Sequence, residues 1–183
     1  MSEKQSRTFL GVLYPDSESY DCEKVLLRLQ DTFEELSYIT HDMDVDENGE
    51  LKKPHIHWVG KRENGMRLST VSNALGIAEN AIEYCKNYKT SLRYLIHADM
   101  PDKYQYGTDD VTSNIDYSTA IMLKGQKETM QAKKIYAYIH ETKPPTIDAL
   151  MGWCLKNDLW SECRRNIAAW NMVIRDVQAA DRP

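Results

Sequence analysis

The first third of the chain combines a short apolar run with apolar residues at helical spacing. Residues 8–13 form a largely apolar run that Tyr14-Pro15 ends, which is typical of a buried strand. Asp21 can cap a helix, and apolar residues at intervals of three and four predict that this helix continues to about Leu36. The chain is therefore expected to begin with a central strand followed by an amphipathic helix.

The next segment predicts a β-hairpin. Residues 38–41 and 55–61 are predicted to be strands, and residues 44–53 between them contain Asn48-Gly49, a pair that favours tight turns. The two strands should therefore be antiparallel neighbours.

Shorter elements are predicted between residues 69 and 121. Ser69 is expected to cap a helix that Gly76 ends, and residues 82–85 have the composition of an edge strand. Thr90 or Ser91 should begin a helical segment that reaches about His97. Residues 115–121 are either a last strand or the lead into the C-terminal region.

The last third of the chain is predicted to be helical, over residues 127–141, 146–157 and 161–180. Thr146 follows Lys143-Pro144-Pro145 and is expected to cap the second of these helices. The third helix carries an apolar stripe at steps of four and three: Cys163, Ile167, Trp170, Ile174 and Val177. The stripe is expected to pack against the preceding helix, and the alternative is self-association into a homo-oligomer.

These elements together predict an α+β protein. An antiparallel sheet with helices packed on it would occupy residues 1–122, and a small helical C-terminal region would occupy residues 123–183. No apolar run is long enough to span a membrane, and the polar N-terminus lacks the apolar core of a signal peptide. The four cysteines show no metal-binding spacing, so reduced thiols in a cytoplasmic protein are expected.

The charge of the chain is unevenly distributed. Residues 1–122 contain 13 Lys and Arg against 21 Asp and Glu, whereas residues 123–183 contain 10 against 7, for a net charge of −5. This balance argues against a tight non-specific binder of duplex DNA. Contacts with DNA would depend on the basic C-terminal region or on local patches: Lys52-Lys53, Lys61-Arg62 and Arg67.

The most informative feature is the pair of histidines in Pro54-His55-Ile56-His57-Trp58. Residues i and i+2 of a strand face the same side, so both imidazoles should point one way, and imidazole is a common metal ligand. Such a pair also occurs by chance on half-buried strands. His41, followed by Asp42 and Asp44, ends the preceding strand and adds a third imidazole and two carboxylates. Three imidazoles and one carboxylate suit Mn²⁺, Co²⁺ or Zn²⁺ better than Mg²⁺.

The ordered motifs His41-Asp42-Met43-Asp44, His55-Ile56-His57 and Tyr94-Leu95-Ile96-His97 resemble those of the HUH endonucleases. Within that family the chain looks most like the rolling-circle replication initiators, or Rep proteins, of small Gram-positive plasmids. The resemblance covers roughly residues 7–120. It implies a ferredoxin-like or RNA-recognition-like sheet with the histidine strand in its centre.

The resemblance also implies roles for individual residues. The metal ligands would be His41, Asp44, His55 and His57, with Asp42 as the rival carboxylate and Mn²⁺ or Mg²⁺ as the ion. Tyr94 would be the catalytic nucleophile, with four other tyrosines as rivals: Tyr84, Tyr88, Tyr104 and Tyr106.

His97 would bind phosphate, assist in deprotonating the phenol, or serve only as a buried hydrogen-bonding side chain. On a helix it would share a face with Tyr94. Many HUH replication proteins have a lysine at this third position after the tyrosine, so a lysine-based role is not expected here. The motif contains a single tyrosine, which does not support a two-tyrosine scheme.

The implied function is initiation of rolling-circle replication by residues 1–122, as an HUH catalytic and origin-binding domain, through nicking and rejoining of single-stranded DNA. Duplex origin DNA and a host polymerase would also be partners of such an initiator. The sequence has no P-loop motif, so any unwinding would need a host helicase. A mobilisation relaxase or a transposase would use the same chemistry. The alternatives of another class are a non-catalytic DNA-binding or oligomerising module and a cupin-type oxygenase, whose glutamate and histidine spacing this chain fits poorly.

Overall fold

Five strands within residues 4–180, the part of the chain that the computed structural model describes, form one antiparallel sheet. They are β1 (Gln5–Leu13), β2 (Glu35–His41), β3 (His55–Arg67), β4 (Ile82–Tyr84) and β5 (Thr112–Ser113). Their order in the sheet is β4-β1-β3-β2-β5, so the strand with the histidine pair lies in the centre. The predicted α+β class with a central histidine strand is confirmed.

Helices cover both faces of this sheet. They are α1 (Cys22–Thr32), α2 (Leu68–Leu75), α3 (Tyr88–Leu95) and α4 (Tyr117–Ile121). On one face, Phe9 and Trp58 pack with α1 and α2 in an apolar cluster. On the other face, Ile39 and Val59 pack with α3 and α4 in a second cluster. Because side chains alternate along a strand, His55 and His57 lie on the face of α3, and Ile56 and Trp58 lie on the face of α1.

The first helix is shorter than its apolar spacing predicts. Asp21 caps it as expected, with its carboxylate accepting from the Lys24 N–H at 3.2 Å. The helix ends at Thr32, Phe33 is extended at φ −119° and ψ 131°, and Leu36 belongs to β2. The prediction of a helix to Leu36 was wrong because Leu36 joins the same core as the helix while its backbone pairs with β3.

Three further boundaries differ from the prediction. Helix α2 begins at Leu68, whose N–H donates to the Tyr84 hydroxyl, so it starts ahead of Ser69. Helix α3 begins at Tyr88 and is capped by Asn87 rather than by Thr90 or Ser91. The strand alternative for residues 115–121 was wrong, because α4 forms there. The last strand, β5, lies just before this segment and has only two residues, too few for a periodic pattern to predict it.

The predicted hairpin between β2 and β3 is confirmed. Its tip is closed by a hydrogen bond from the Gly49 N–H to the Asp46 carbonyl, and Gly49 has φ +80°, which glycine adopts readily. Closer to the sheet, the Lys52 N–H donates to the Asp44 carbonyl at 2.7 Å. The hairpin therefore fixes the backbone of Asp44 beside the ends of the two strands.

Contacts divide the chain into two units, Met1–Ile121 and Met122–Pro183, and the second unit is helical where it is described. Its helices are α5 (Lys124–Thr142), α6 (Ile147–Lys156), α7 (Trp160–Arg165) and α8 (Ile167–Ala180). Thr146 caps α6 as predicted, with its hydroxyl accepting from the Ala149 N–H. The predicted third helix is interrupted at Asn166 and forms α7 and α8 instead. The functions assigned to residues 1–122 and 123–183 remain predictions.

The apolar stripe of the C-terminal region lies mainly within the core of this second unit. Cys163, Trp170 and Ile174 are buried there and Val177 packs against them, whereas Ile167 is 37% exposed. These contacts correspond to the intramolecular alternative. A homo-oligomer remains a prediction, without support from this stripe.

All four cysteines lie within the described residues and are buried and free of disulfides, as expected. No helix in the described range is both long enough and apolar enough to cross a bilayer. The first three residues of the polar N-terminus, which bore on the signal-peptide expectation, lie outside the described range.

Candidate metal centre and nucleophile

The register between β2 and β3 brings three histidines together. His41 is directly opposite His55, and Ile39 is opposite His57, so His41, His55 and His57 share one face of the sheet. Their ring centroids are 5.5 Å apart for His41 and His55, 4.7 Å for His41 and His57, and 4.9 Å for His55 and His57. One nitrogen of each ring lies within 4.8 Å of the others, which is close enough for one ion.

A buried carboxylate lies beside two of these histidines. The side chain of Asp44 is 7% exposed, and its Oδ2 lies 3.5 Å from His41 Nδ1 and 3.9 Å from His55 Nε2. Asp42 is exposed. Of the two carboxylates that the sequence offers, the structure brings Asp44 to the histidines.

Hydrogen bonds to backbone carbonyls fix the tautomers of two of the three imidazoles. His41 Nε2 lies 2.7 Å from the Leu95 carbonyl oxygen, and His55 Nδ1 lies 2.9 Å from that of Lys53. A carbonyl oxygen only accepts, so each of these nitrogens carries the hydrogen. The lone pairs of His41 Nδ1 and His55 Nε2 are therefore left for the cluster, an arrangement that is common for metal-bound histidines.

Buried polar atoms at the centre of the cluster have no protein partner. His41 Nδ1, Asp44 Oδ1 and His97 Nε2 are buried without a hydrogen bond within residues 4–180. Leaving such atoms unsatisfied costs about 1–3 kcal/mol each. A divalent cation bound by imidazole nitrogens and a carboxylate oxygen would satisfy atoms of this kind, so the residues fit a metal site.

Two histidines of the cluster, His41 and His57, have lowered pKa values. Burial, followed by the nearby His41, His55, His97 and Lys103, lowers the pKa of His57 to about 3. Burial also lowers the pKa of His41, although the hydrogen bond to the Leu95 carbonyl opposes this shift. Neutral imidazole is the form that binds metals, so these side chains are ready to coordinate at neutral pH.

His97 occupies a different position from the one predicted. The helix ends at Leu95, and His97 follows it with φ +55°. Its N–H donates to the Tyr94 carbonyl and the Ala98 N–H donates to the Arg93 carbonyl, both at 3.0 Å. These two bonds define a Schellman motif, in which glycine usually takes the left-handed position.

The side chain of His97 lies against the metal-ligand cluster. It is fully buried, its ring centroid is 4.5 Å from that of His41, and its Nδ1 lies 2.8 Å from the Tyr104 carbonyl and 3.7 Å from Asp44 Oδ1. One of its ring nitrogens also comes close enough to a nitrogen of His41 and a carboxylate oxygen of Asp44 for the three to share an ion. The geometry places His97 behind Asp44 as well as near Tyr94.

Tyr94 lies at the edge of the histidine cluster. Its ring is edge-on to those of His57 and His97, at centroid distances of 5.2 and 5.4 Å. Its hydroxyl accepts a hydrogen bond from Lys103 Nζ at 3.3 Å. The side chain is half-buried, so Tyr94 lies against the cluster and is partly accessible from solvent.

The rival tyrosines lie elsewhere or have their hydroxyls engaged. Tyr84 packs on Phe9 on the opposite face of the sheet, and Tyr88 lies beside Lys61. Tyr104 is exposed at the edge of Tyr106. Tyr106 stacks on His41 at 4.6 Å, but its hydroxyl accepts a hydrogen bond from the Met43 N–H.

Two features of the site were not found from the sequence. Lys103 reaches the Tyr94 hydroxyl from a loop nine residues further along the chain, so a lysine is present although none follows at the third position. A cavity of about 350 Å³ opens beside Tyr94 and His57, with Leu10 and Val59 among its apolar lining residues and Glu83 among its polar ones. No sequence spacing indicates either feature, because loop and sheet come together only in the fold.

The basic patches considered for DNA binding are partly neutralised by the protein itself. Lys53 Nζ lies 2.8 Å from Asp16, Lys61 Nζ lies 2.6 Å from Glu35, and Arg62 lies 3.7 Å from Glu34. These cations are thus less available to DNA phosphates than the sequence suggests.

The α+β fold, with a histidine-rich cluster and a neighbouring tyrosine on one face of its sheet, can be compared with known proteins. Residues 1–118 match the family described as plasmid replication protein, origin binding domain. The chain belongs to this family, which confirms the resemblance to plasmid Rep proteins.

Individual relatives carry the same description. The chain is 23% identical over 158 residues to replication protein RepB of Lactiplantibacillus plantarum, an alignment that covers 85% of this chain and 71% of that protein. It is 24% identical over 155 residues to a replication protein of Staphylococcus aureus, covering 83% of this chain and 77% of the relative. A replication protein of Onion yellows phytoplasma (strain OY-M) is 27% identical over 174 residues, which cover 85% of this chain and 45% of the longer relative.

The lowered pKa of His57 predicts that the metal-free protein is sensitive to acid. An unfolded histidine binds a proton below about pH 6.5, whereas folded His57 does so only near its pKa of about 3. The free energy of unfolding should therefore fall as the pH falls from 6.5 towards 3, by up to about 1.4 kcal/mol per pH unit for each such histidine.

We expect H57Q to show a shallower dependence of this free energy on pH between 6.5 and 4.5. The measurement is urea denaturation in EDTA, followed by the indole NMR signal of Trp58. H140Q, which removes the one histidine outside the cluster, should retain the wild-type slope. A wild-type slope in H57Q would show that the lowered pKa of His57 is not the source of the acid sensitivity.

The left-handed backbone at His97 predicts an order of stability among its variants. H97G and H97A both remove the imidazole, but only alanine is strained at φ +55°. We expect H97G to be more stable than H97A by about 1 kcal/mol. Urea denaturation at pH 7 measures this difference, and equal stabilities would show that the backbone relaxes out of the left-handed region.

Proposed function

We propose that this chain is a replication initiator that nicks and rejoins single-stranded DNA at a plasmid origin by metal-dependent tyrosine transesterification. The observation that carries the proposal is the half-buried side chain of Tyr94 at the edge of a cluster of imidazoles beside a buried carboxylate. The chain belongs to an origin-binding family, so DNA is the proposed substrate. Its phosphodiester groups are what such a nucleophile would attack.

The proposed reaction conserves the phosphodiester bond. The Tyr94 oxygen attacks the scissile phosphorus and loses its proton, while the bond from phosphorus to the 3′ oxygen breaks. The products are a 5′-phosphotyrosine and a free 3′-hydroxyl that a polymerase can extend. A phenolate is a better leaving group than an alkoxide, so a later DNA 3′-hydroxyl can displace Tyr94 and rejoin the strand without ATP.

The residues proposed to hold the ion are His41, Asp44, His55 and His57, with Mn²⁺ or Mg²⁺ as the candidates. When bound, a divalent cation would polarise the non-bridging oxygens of the scissile phosphate and offset the charge that develops there. A free phenol has a pKa of about 10, so such assistance is needed near neutral pH. The three imidazoles favour Mn²⁺ over Mg²⁺.

The protein itself would position the phosphate and limit access of water. The cavity beside Tyr94 is lined mainly by apolar side chains from β1 and β3 and by polar side chains from α3 and β4. An unpaired nucleotide can enter such a recess more readily than a duplex can. His97, buried against both Asp44 and Tyr94, would fill the space behind the carboxylate and exclude water from it.

The other functions considered have less support. A relaxase or transposase would share this chemistry, but the family and the named relatives are replication proteins. The single open sheet does not match the jelly roll of a cupin. As an initiator the protein would bind single-stranded and duplex origin DNA in the cytoplasm and would depend on a host helicase and polymerase.

Metal binding is expected to depend on Asp44 and not on Asp42. Asp44 is buried within 4 Å of two imidazoles, whereas Asp42 is exposed. D44N should weaken Mn²⁺ binding at least tenfold in calorimetry, and D42N should bind it like wild type.

Wild-type protein should nick a supercoiled plasmid carrying its origin in Mn²⁺ but not in EDTA. Equal nicking in both would overturn the role of the metal.

Y94F is expected to abolish the covalent protein–DNA adduct without altering the fold, because it removes a single oxygen. The assay uses a labelled single-stranded origin oligonucleotide, resolved on a denaturing gel, with thermal melting as the check on folding. Y106F provides the control, since that tyrosine also lies against the cluster. If Y94F still forms the adduct, the nucleophile is another tyrosine; if wild type forms none, the non-catalytic alternative holds.

A further inference from the structure

Lys103 is the cation that directly contacts the proposed nucleophile. Its Nζ lies 3.3 Å from the Tyr94 hydroxyl oxygen and 5.1 Å from the centre of the Tyr94 ring. The side chain is half-buried, and among the described side chains no carboxylate lies within salt-bridge distance of it. The positive charge of Lys103 is therefore not compensated by an acidic partner.

The other cation near this helix end is already engaged. Arg93 forms two hydrogen bonds with the Asp99 carboxylate, at 2.8 and 2.6 Å, and a third with the Ile121 carbonyl. These contacts fix Arg93 as a structural link around the end of α3. Lys103 thus differs from Arg93, because its charged group contacts the Tyr94 hydroxyl and not a carboxylate.

The position of Lys103 is set by a hydrogen-bonded loop. The Met100 N–H donates to the His97 carbonyl, and the Lys103 N–H donates to the Met100 carbonyl, at 2.8 and 3.0 Å. Gln105 Nε2 closes the loop by donating to the carbonyls of Met100 and Lys103. The adjacent Tyr104 carbonyl accepts from buried His97, so the loop is joined to the histidine cluster.

We infer that Lys103 is a catalytic residue that donates a hydrogen bond to the Tyr94 oxygen and stabilises the negative charge on it during nicking and joining. This inference rests on the proposed transesterification. Charge-assisted hydrogen bonds to a developing oxyanion are among the stronger contributions to catalysis, and a fixed donor needs no reorganisation during the reaction.

The bonds and protons balance without any change at Lys103. During nicking the Tyr94 oxygen bonds to phosphorus and releases its proton to solvent, while the 3′ oxygen leaves phosphorus and takes up a proton from solvent. During joining the 3′-hydroxyl attacks, and the departing phenolate regains its proton. Lys103 remains an ammonium donor throughout and stabilises the same oxygen in both directions.

The test compares K103M, K103R and wild type in single-turnover nicking of an origin oligonucleotide and in rejoining by an added 3′-hydroxyl strand. Both rate constants should fall roughly 10²-fold in K103M, by similar factors because the two directions share a transition state. K103R should lie between K103M and wild type. K24M, on α1 at the other face of the sheet, is the control for the loss of one positive charge. The Kd for the oligonucleotide and the thermal melting temperature are measured for every variant.

A substrate with sulfur in place of the bridging 3′ oxygen locates the defect. A thiolate leaves without protonation, so this substrate would restore the rate of K103M if the lysine assisted the leaving group. We expect the defect of K103M to persist, because Lys103 acts at the attacking oxygen. Recovery of the rate with this substrate would overturn the inference.

Two other results would also overturn it. A loss confined to Kd would show that Lys103 binds a DNA phosphate and not the nucleophile, and wild-type rates in K103M would show that the contact has no role. These failures are distinct from failure of the proposed function, because they require that wild type forms the adduct and Y94F does not.

Discussion

The site depends above all on the pairing register of β2 and β3. Because His41 is opposite His55, a shift of one residue would turn the histidines of one strand to the other face of the sheet, into the core around Trp58. The hairpin tip and the hydrogen bond from the Lys52 N–H to the Asp44 carbonyl hold this register at the end where the chain turns from β2 to β3. One hairpin therefore supplies all four proposed ligands, and the nucleophile comes from a separate helix.

A second constraint follows from burial. Imidazoles, a buried carboxylate and unsatisfied polar atoms are collected at one point, which is unfavourable for the metal-free protein. Binding of a cation would satisfy these groups, so the free energy of metal binding and the free energy of folding are coupled. The site therefore lowers the stability of the metal-free protein. The second apolar cluster, around Leu92 and Leu95, holds α3 against the sheet nearby.

Much of this arrangement could be predicted from the sequence, because it depends on local patterns. The alternation in His55-Ile56-His57, the capping residue Asp21 and the turn at Asn48-Gly49 all express short-range preferences. The end of α1 was missed because Leu36 keeps helical spacing while pairing as a strand. The sequence named His97 but not its left-handed backbone, and it did not indicate Lys103. A Schellman motif positions the first and a returning loop the second, and neither has a periodic signal.

The internal ion pairs of Lys53, Lys61 and Arg62 have a consequence for how the protein would find its origin. When a phosphate takes a lysine from its carboxylate partner, that carboxylate recovers a cation from solution, so fewer counterions are released overall. Contacts that DNA makes with these three cations would then depend less on salt concentration than contacts with unpaired lysines. At this part of the surface, preference for an origin would come more from base contacts and DNA shape than from charge.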